Sequence, residues 1–573
     1  MRLRTVPRLI LALLIVGVGL LATVPGAARA ASTGPAAKAA PGATAYAHID
    51  GSGSSWAAVA VDQWITDVHQ YGMRIDFNDD GSNQGRTDFL NHTVDFAVSD
   101  IPFQQDPKDG SPAEHPASGS YAYMPIVAGG TSFMYHLTIG GHRVTNLRLS
   151  GEDIAKIFTG EITNWDNPAI AADNPDLRLP NEKIIPVVRS DGSGSSAQFS
   201  LWMMAQEQGI WNAYYRRLGL GSSGVETEFW PTFPGMIAQS GDLGVAGYVT
   251  QPYAEGSIGY VEYAYALNAG YPVALMLNAA GYFVEPTAYN VAVALTKADI
   301  NYDASNPAVY LTQQLGSVYS DTDPRAYPMS SYSYMILPTT IAGQFDTAKG
   351  TTLGAFSYYF MCQGQQQAPQ LGYSPLPINL VEAGFKQIRK IPGVVPQNIT
   401  VSGCNNPTFN PTNPNINELA VLAPHPPACD KIGPVQCTSG TGGATASTPV
   451  SNPDAKNAGA GSNGSGGTGS GGTGGGAGGG GSGTGAQGKS TTGTSGAINP
   501  DTGLPESGSG TTGSGSTGDS NVQAEPLALS GSAGWGAVQD LIVAVGVALL
   551  VLFFAPPLLS RYITQRSGIG RKQ

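Results

Sequence analysis

The chain has 573 residues, and 41 acidic against 29 basic side chains give it a formal net charge of −12. This balance argues against nucleic acid and acidic membrane surfaces as partners of the bulk protein. Because it has 77 glycines, 41 prolines and only 12% charged residues, part of the chain must be of low complexity, and the rest has room for two or three domains.

The N-terminus has the three parts of a secretory signal peptide. A basic start precedes an apolar run from Leu9 to Val24, and a small-x-small site follows at residues 28–30. The apolar run is short for a membrane anchor. We therefore expect export, with residues 1–30 removed by cleavage after Ala30, and a folded region that begins at about residue 44.

Three turns rich in glycine and serine each precede a predicted helix. They are residues 51–56 (GSGSSW), 80–86 (DGSNQGR) and 189–196 (RSDGSGSS). The first turn of a helix has unpaired N–H groups and the positive end of the helix dipole, and glycine lets a ligand approach the backbone. Arg189 adds a planar fork that fits a tetrahedral oxyanion. One such turn is usually structural, but three in one domain predict an oxyanion site.

An aspartate follows a predicted strand between the second and third of these turns. Val94, Phe96 and Val98 alternate as in a strand, and Asp100 lies just beyond its carboxyl end, where open α/β sheets bind ligands. Such an aspartate often caps a helix or turn. It can also accept the O–H of hydrogen phosphate, whereas ionised sulfate would meet an unpaired repulsive charge. We therefore predict that Asp100 excludes sulfate.

Strands and helices alternate as far as about Pro396. A region of roughly 350 residues exceeds one usual domain, so the pattern predicts two α/β lobes. We assign residues 44–126 and 325–437 to lobe I, which includes a C-terminal extension, and residues 127–324 to lobe II.

Four cysteines fit an exported chain with two disulfides. Three pairings of Cys362, Cys404, Cys429 and Cys437 are possible. We favour Cys362–Cys404 and Cys429–Cys437, since the second closes a short loop. A zinc site is the alternative, but the chain has no C-x-x-C pair and the nearest histidine, His425, is alone. No metal or other cofactor is predicted.

The C-terminal part of the chain predicts a tether. Residues 438–535 are rich in Gly, Ser and Thr, a composition that cannot bury a core and indicates a flexible, disordered linker. Residues 536–560 include the uncharged run Leu541–Leu559, which is long enough to cross a bilayer. The basic tail 561–573 would then be cytoplasmic. We expect a single-pass protein whose globular part lies on the extracellular face of the cell membrane.

Taken together, these motifs resemble those of the periplasmic phosphate-binding proteins that feed ATP-binding-cassette (ABC) phosphate importers. The resemblance covers roughly residues 46–390 and also includes VDFAVSD (94–100), ITNW (162–165) and GSIGYVEYAY (256–265). It implies a two-lobed periplasmic-binding-protein-like fold of type II, whose lobes are joined by a hinge and close over one dehydrated phosphate. It further implies an ABC permease as partner, a monomer, and no catalysis.

The resemblance also implies which residues bind phosphate. They are Ser55, the amide of Trp56, Ser82, Asp100, Arg189, Asp191, Ser193, Gly194 and Ser195, with Asp191 orienting Arg189. Three features depart from the family pattern: tryptophan stands at position 56 where phenylalanine is common, serine replaces threonine at two hydroxyl positions, and Asn83-Gln84 replaces small residues after Ser82.

Other functions fit less well. Residues 192–197 match a loose dinucleotide-binding pattern, but export and the neighbouring charges argue against it. The chain lacks the register of a serine hydrolase elbow and the clustered metal ligands of a phosphatase. We therefore predict a non-enzymatic, membrane-tethered protein that captures inorganic phosphate and delivers it to an ABC importer. The alternative is a surface-anchored oxyanion sensor, scavenger or adhesin-like protein with no role in transport.

Overall fold

The computed structural model describes residues 46–446. The strands are β1 (Ile49–Gly53), β2 (Ile75–Asn78), β3 (Phe96–Ser99), β4 (Tyr121–Tyr135), β5 (Thr138–Ile139), β6 (His142–Arg143), β7 (Arg148–Leu149), β8 (Ile185–Arg189), β9 (Ile237–Gln239), β10 (Ser257–Glu262), β11 (Leu275–Leu277), β12 (Phe283–Val284), β13 (Asp299–Ile300), β14 (Gln313–Gln314) and β15 (Ser330–Pro338). The α-helices are α1 (Ala58–Val68), α2 (Ser82–Leu90), α3 (Gly151–Thr159), α4 (Pro168–Asp173), α5 (Gly194–Gln206), α6 (Gln208–Leu218), α7 (Gly241–Val249), α8 (Tyr263–Ala269), α9 (Ala288–Ala294), α10 (Gly316–Tyr319), α11 (Thr347–Cys362), α12 (Gly364–Gln367), α13 (Ile378–Ile388) and α14 (Glu418–Leu422). Short 3-10 helices cover His69–Tyr71, Leu295–Lys297, Ala368–Leu371, Val401–Cys404 and Ala428–Asp430.

The main sheet connects two lobes. Its strand order is β2-β1-β3-β15-β4-β10-β8-β9. Strands β2, β1 and β3 are parallel and form lobe I, and strands β10, β8 and β9 are parallel and form lobe II. The long central strands β4 and β15 are antiparallel to each other and carry the chain between the lobes. The two-lobed α/β fold predicted from the alternating pattern is therefore confirmed.

The two crossings set the lobe boundaries. The predicted boundary at residues 126–127 lies inside β4, which pairs with β15 first and with β10 afterwards. The predicted return at residue 325 lies just before β15, where the side chain of Asn278, in lobe II, donates to the carbonyls of Pro324 and Ala326 at 3.0 and 3.1 Å. The exact bounds of the lobes stay a prediction.

Each lobe has an aromatic core that holds the helices against the sheet. In lobe I, the three-four spacing of apolar residues along α1 buries Trp64, whose ring stacks on Phe360 of α11 at 4.9 Å. In lobe II, Phe199 of α5 stacks on Trp230 at 4.6 Å. Stacked aromatic pairs bury large areas of apolar surface. The helices that begin at the sheet edge are thereby fixed relative to their strands.

The C-terminal extension begins on lobe I and ends on lobe II. Cys404 is bonded to Cys362 of α11, and Thr408 donates to the carbonyl of Leu376 at 2.9 Å. Farther along, the buried guanidinium of Arg148, in lobe II, pairs with Asp430 at 3.1 Å. The second half of the extension, predicted with lobe I, therefore contacts lobe II, where the buried Arg148 pairs with its only charged partner among the described ion pairs, Asp430.

Residues 438–446, predicted as the start of the linker, are packed on lobe II. Thr441 is only 3% exposed, and its hydroxyl donates to the carbonyl of Val273 at 2.5 Å. Gly443 lies directly against Gly270, an approach that a side chain would prevent. Glycine, which suggested a linker, here allows the chain to pack closely.

Both disulfides have the pairing favoured from the sequence. Cys362–Cys404 closes a loop with a sequence separation of 42, and Cys429–Cys437 one with a separation of 8. The first joins the extension to lobe I, and the second shapes the segment that contacts Arg148.

Several predictions concern parts of the chain outside the described residues. These are the signal peptide, the linker beyond residue 446, the apolar run Leu541–Leu559 and the basic tail. Between residues 46 and 446, none of the helices has the length and apolar character needed to cross a membrane.

Candidate ligand-binding site

Four helices begin where the two lobes meet. Helices α1 and α2 follow β1 and β2 in lobe I, and helices α5 and α7 follow β8 and β9 in lobe II. Gly194, the first residue of α5, lies against Ser82, the first residue of α2, and Gly241, at the start of α7, lies near Ser55. Within each lobe the parallel strands end at the same edge, and because β3 runs with β4 while β10 runs against it, the two sets of strands point toward each other and their helix starts converge. Each contributes the positive end of a helix dipole, which favours an anion. The amides of Asn83, at the start of α2, and of Gly241 and Asp242, at the start of α7, already donate to protein oxygens.

The hydroxyl groups of this interface are buried and differ in what they bind. The Ser195 hydroxyl is buried and has no hydrogen-bond partner among the described residues. Ser82 Oγ accepts from the amide of Asp100 at 3.2 Å. Ser193 caps α5 by accepting from the amide of Ser196 at 3.2 Å. Of these three hydroxyl groups, that of Ser195 is therefore the most available to donate a hydrogen bond to a ligand.

Asp100 lies at the carboxyl end of β3, as predicted from the alternation. It accepts hydrogen bonds from the hydroxyls of Ser54 and Ser333, each at 2.8 Å. Burial raises the pKa of Asp100 to about 6, although these two hydrogen bonds partly oppose the shift. The carboxylate is therefore ionised at neutral pH and can act as an acceptor. Its Oδ2 atom faces lobe II at Gly194.

Arg189 ends β8 and is held by two carboxylates. Its Nε atom is 2.9 Å from Asp191 Oδ1, and its two terminal nitrogens pair with Asp191 and with Asp242. Burial alone would lower the pKa of Arg189, but the charges of Asp242 and Asp191 outweigh burial and raise it. Asp191 is thus placed where it could orient Arg189, and that role stays a prediction.

Asp242 was missed by the sequence analysis. It is fully buried at the start of α7, accepts from Ser55 Oγ at 2.6 Å and accepts from the amide of Glu262 at 2.8 Å. It therefore connects lobe I, through Ser55, with Arg189 of lobe II. A glycine followed by an acid after a strand was the available signal, but nothing local indicates that Arg189 lies beside it.

Carboxylates outnumber cations at this interface. Arg189 faces Asp191 and Asp242, and Asp100 lies across the cleft. A bound anion would therefore be held chiefly by N–H and O–H dipoles and not by net positive charge.

The structure brings the predicted site residues to one interface. Ser55, Ser82 and Asp100 contribute from lobe I, and residues 189–195 contribute from lobe II. Trp56 differs, because its ring is buried in lobe I, where Nε1 donates to Thr131 Oγ1 at 3.2 Å. Only the backbone amide of Trp56 can serve a ligand. The individual ligand-binding roles of these residues stay predictions.

One group of potential metal ligands occurs among residues 46–446, and it lies elsewhere. His48, Asp50 and Asp76 converge at the amino ends of β1 and β2, opposite the interface. The site between the lobes is built from hydroxyls, amides, one guanidinium and carboxylates.

Two α/β lobes that enclose a polar site at the carboxyl ends of their strands define a two-lobed binding protein of the periplasmic type. A family model described as a PBP superfamily domain matches residues 38–363. The phosphate-binding protein PstS of Xylella fastidiosa is 34% identical over 337 residues, which cover 58% of this chain and 83% of that protein. PstS of Haemophilus influenzae is 30% identical over 334 residues, covering 58% and 90%.

Among solved structures, a phosphate-binding protein from Stenotrophomonas maltophilia is similar with a TM-score of 0.43 and 18% identity, covering 65% of this chain and 99% of that one. On the family match and the curated relatives, the chain belongs to the PBP superfamily and, within it, to the PstS-like phosphate-binding proteins. The resemblance stated from the sequence motifs is confirmed.

Proposed function

We propose that the protein binds hydrogen phosphate between its two lobes and releases it without chemical change. The observation that carries this proposal is that a hydrogen-bond acceptor, the Asp100 carboxylate of lobe I, lies close to the start of α5, where the Ser195 hydroxyl has no partner within residues 46–446. The Asp100 carboxylate can accept the O–H of the ligand, while Ser195 and the helix starts donate to its other oxygens. The names of the relatives, which are phosphate-binding proteins, support the same ligand.

Calorimetric titration tests this proposal directly. We expect residues 31–446 to bind one phosphate per chain and to bind sulfate at least about 100-fold more weakly, because sulfate has no O–H to donate to the Asp100 carboxylate and meets its negative charge. Equal affinity for the two ions would contradict the role of Asp100, and no binding of phosphate would contradict the proposed function itself.

We also propose that the protein is tethered outside the cell membrane and delivers phosphate to an ABC importer. The signal-like N-terminus, the apolar run Leu541–Leu559 and the family membership support this interpretation. Uptake of radiolabelled phosphate should fall at low phosphate when the gene is deleted, since an importer that depends on this protein for capture would lose its supply. Unchanged uptake would favour the sensor, scavenger or adhesin-like alternative.

A further inference from the structure

The lobes also meet at a second buried contact, centred on Arg86 of α2. The Arg86 side chain is 0% exposed, and its guanidinium has three partners. Nε donates to Glu114 at 2.8 Å and Nη1 donates to Ser99 at 3.0 Å, both within lobe I. Nη2 donates to Glu228 at 2.6 Å. Glu228 precedes β9 and belongs to lobe II, so one guanidinium pairs with a carboxylate of each lobe.

Glu228 is fixed to the start of α5. Its backbone carbonyl accepts from the amide of Ser193, the cap of α5, at 3.0 Å. Its carboxylate also accepts from the side-chain amide of Asn83 at 3.3 Å, and the backbone amide of Asn83 donates to the carbonyl of Gly192 at 3.0 Å. The contact therefore joins the start of α2, which carries Ser82, to the start of α5, which carries Ser195.

The two carboxylates respond differently to separation of the lobes. The Arg86–Glu114 pair lies within lobe I and does not depend on lobe II, so it can orient the guanidinium before closure. The Arg86–Glu228 pair spans the lobes and forms only on closure. A charge-assisted hydrogen bond to a preoriented guanidinium loses less entropy than one between two free side chains.

We propose that the Arg86–Glu228 pair is a closure latch that sets how long the ligand stays bound. This proposal rests on the proposed function, since the ligand is taken to lie between the helix starts that the latch joins. Glu228 acts as a positioning residue, through α2 and α5. Because the latch forms when the lobes close, a step that follows ligand entry during binding, it affects the dissociation rate and leaves the association rate and ion selectivity unchanged.

The shared guanidinium provides a matched pair of variants. In the full chain, Glu228→Gln removes the charge of the contact between lobes, and Glu114→Gln removes the same charge within lobe I. We expect stopped-flow measurements to show phosphate dissociating about tenfold faster from the Glu228→Gln variant, as charge-assisted hydrogen bonds are about twice as strong as neutral ones. The Glu114→Gln variant should dissociate as the unsubstituted protein does. Equal rates for the two variants would overturn the latch.

Loss of folding must be separated from loss of the latch. Thermal unfolding without phosphate should show one cooperative transition for both variants, with the larger loss of stability in Glu114→Gln, because the Arg86–Glu114 pair is present whether the lobes are open or closed. If Glu228→Gln does not fold, Asn83→Ala removes a neighbouring contact between the lobes and should also speed dissociation. A folded Asn83→Ala variant with an unchanged rate would then contradict the proposal.

Failure of the proposed function can be recognised separately. If the unsubstituted protein does not bind phosphate, the proposed ligand is wrong, and the latch is tested by the distance between the lobes instead. Spin labels on Gln70→Cys and Ser222→Cys, exposed positions of lobe I and lobe II, report that distance. Since the pair holds closed lobes together with or without a ligand, Glu228→Gln should shift the distances in the ligand-free protein to longer values relative to Glu114→Gln. Equal distances would overturn the latch.

Discussion

Replacing Gly194 with alanine should reduce phosphate affinity about 100-fold, because overpacking costs about 1–3 kcal/mol and 1.4 kcal/mol corresponds to a factor of ten. A Cβ atom at this position would lie 2.5 Å from Ser82 Oγ and 2.6 Å from Asp100 Oδ2, too close for any stable contact. Both atoms belong to lobe I, whereas Gly194 belongs to lobe II. The added methyl group therefore obstructs closure, and the open lobes should fold normally.

The control for this variant is Gly209→Ala. Gly209 is the second residue of α6, and a Cβ atom there would meet nothing within 4 Å. Alanine also has a higher helix propensity than glycine, so the control should be neutral or slightly stabilising. Titration calorimetry of both variants with phosphate makes the comparison. Unchanged affinity in a folded Gly194→Ala variant would mean that the lobes do not close at Gly194 when phosphate binds.

The Asp100→Asn variant should lose most of the selectivity for phosphate over sulfate. An amide in place of the carboxylate removes the charge that repels sulfate. It also supplies an N–H group that can donate a hydrogen bond to a sulfate oxygen. We expect the ratio of the two affinities to fall by about 10- to 100-fold, the range for one hydrogen bond to a charged group. Asp100→Glu keeps the charge and serves as the control. An unchanged ratio in Asp100→Asn would indicate that Asp100 only organises Ser54 and Ser333.

The affinity for sulfate should also depend on pH, because protonation of Asp100 removes the same negative charge that the Asp100→Asn substitution removes. Burial raises the pKa of Asp100 to about 6, so the carboxylate is ionised above that pH and protonated below it. Protonation removes the repulsive charge, and sulfate stays fully ionised throughout. Sulfate affinity in the unsubstituted protein should therefore rise as the pH falls from 8 to 5, with a midpoint near 6. The Asp100→Asn variant should bind sulfate with little dependence on pH over the same range.

Much of the fold and part of the site could be predicted because their signals are local. The alternation of Val94, Phe96 and Val98 predicted β3 and the position of Asp100 at its end. The turn at residues 189–196 predicted the end of β8 and the start of α5, and the structure has both. Each signal depends on neighbouring residues, whose spacing along the chain determines which face of the backbone they occupy.

Composition was less reliable at the C-terminal end. Glycine- and threonine-rich residues after 437 suggested a linker, yet Thr441 and Gly443 pack on lobe II. Small residues are equally suited to a flexible chain and to close backbone packing. The outcome depends on whether a complementary surface is present, and the surface near Val273 and Gly270 lies more than a hundred residues earlier in the chain.

The sequence by itself determined the strand–turn–helix units and the residue types at each helix start, since these follow from local backbone and hydrogen-bonding preferences. Only the tertiary structure decided which units face each other. Ser55 meets Asp242 across 187 positions, and Arg86 meets Glu228 across 142. Side chains so far apart are brought together by the packing of two lobes around β4 and β15, and a single sequence contains no local signal of that pairing.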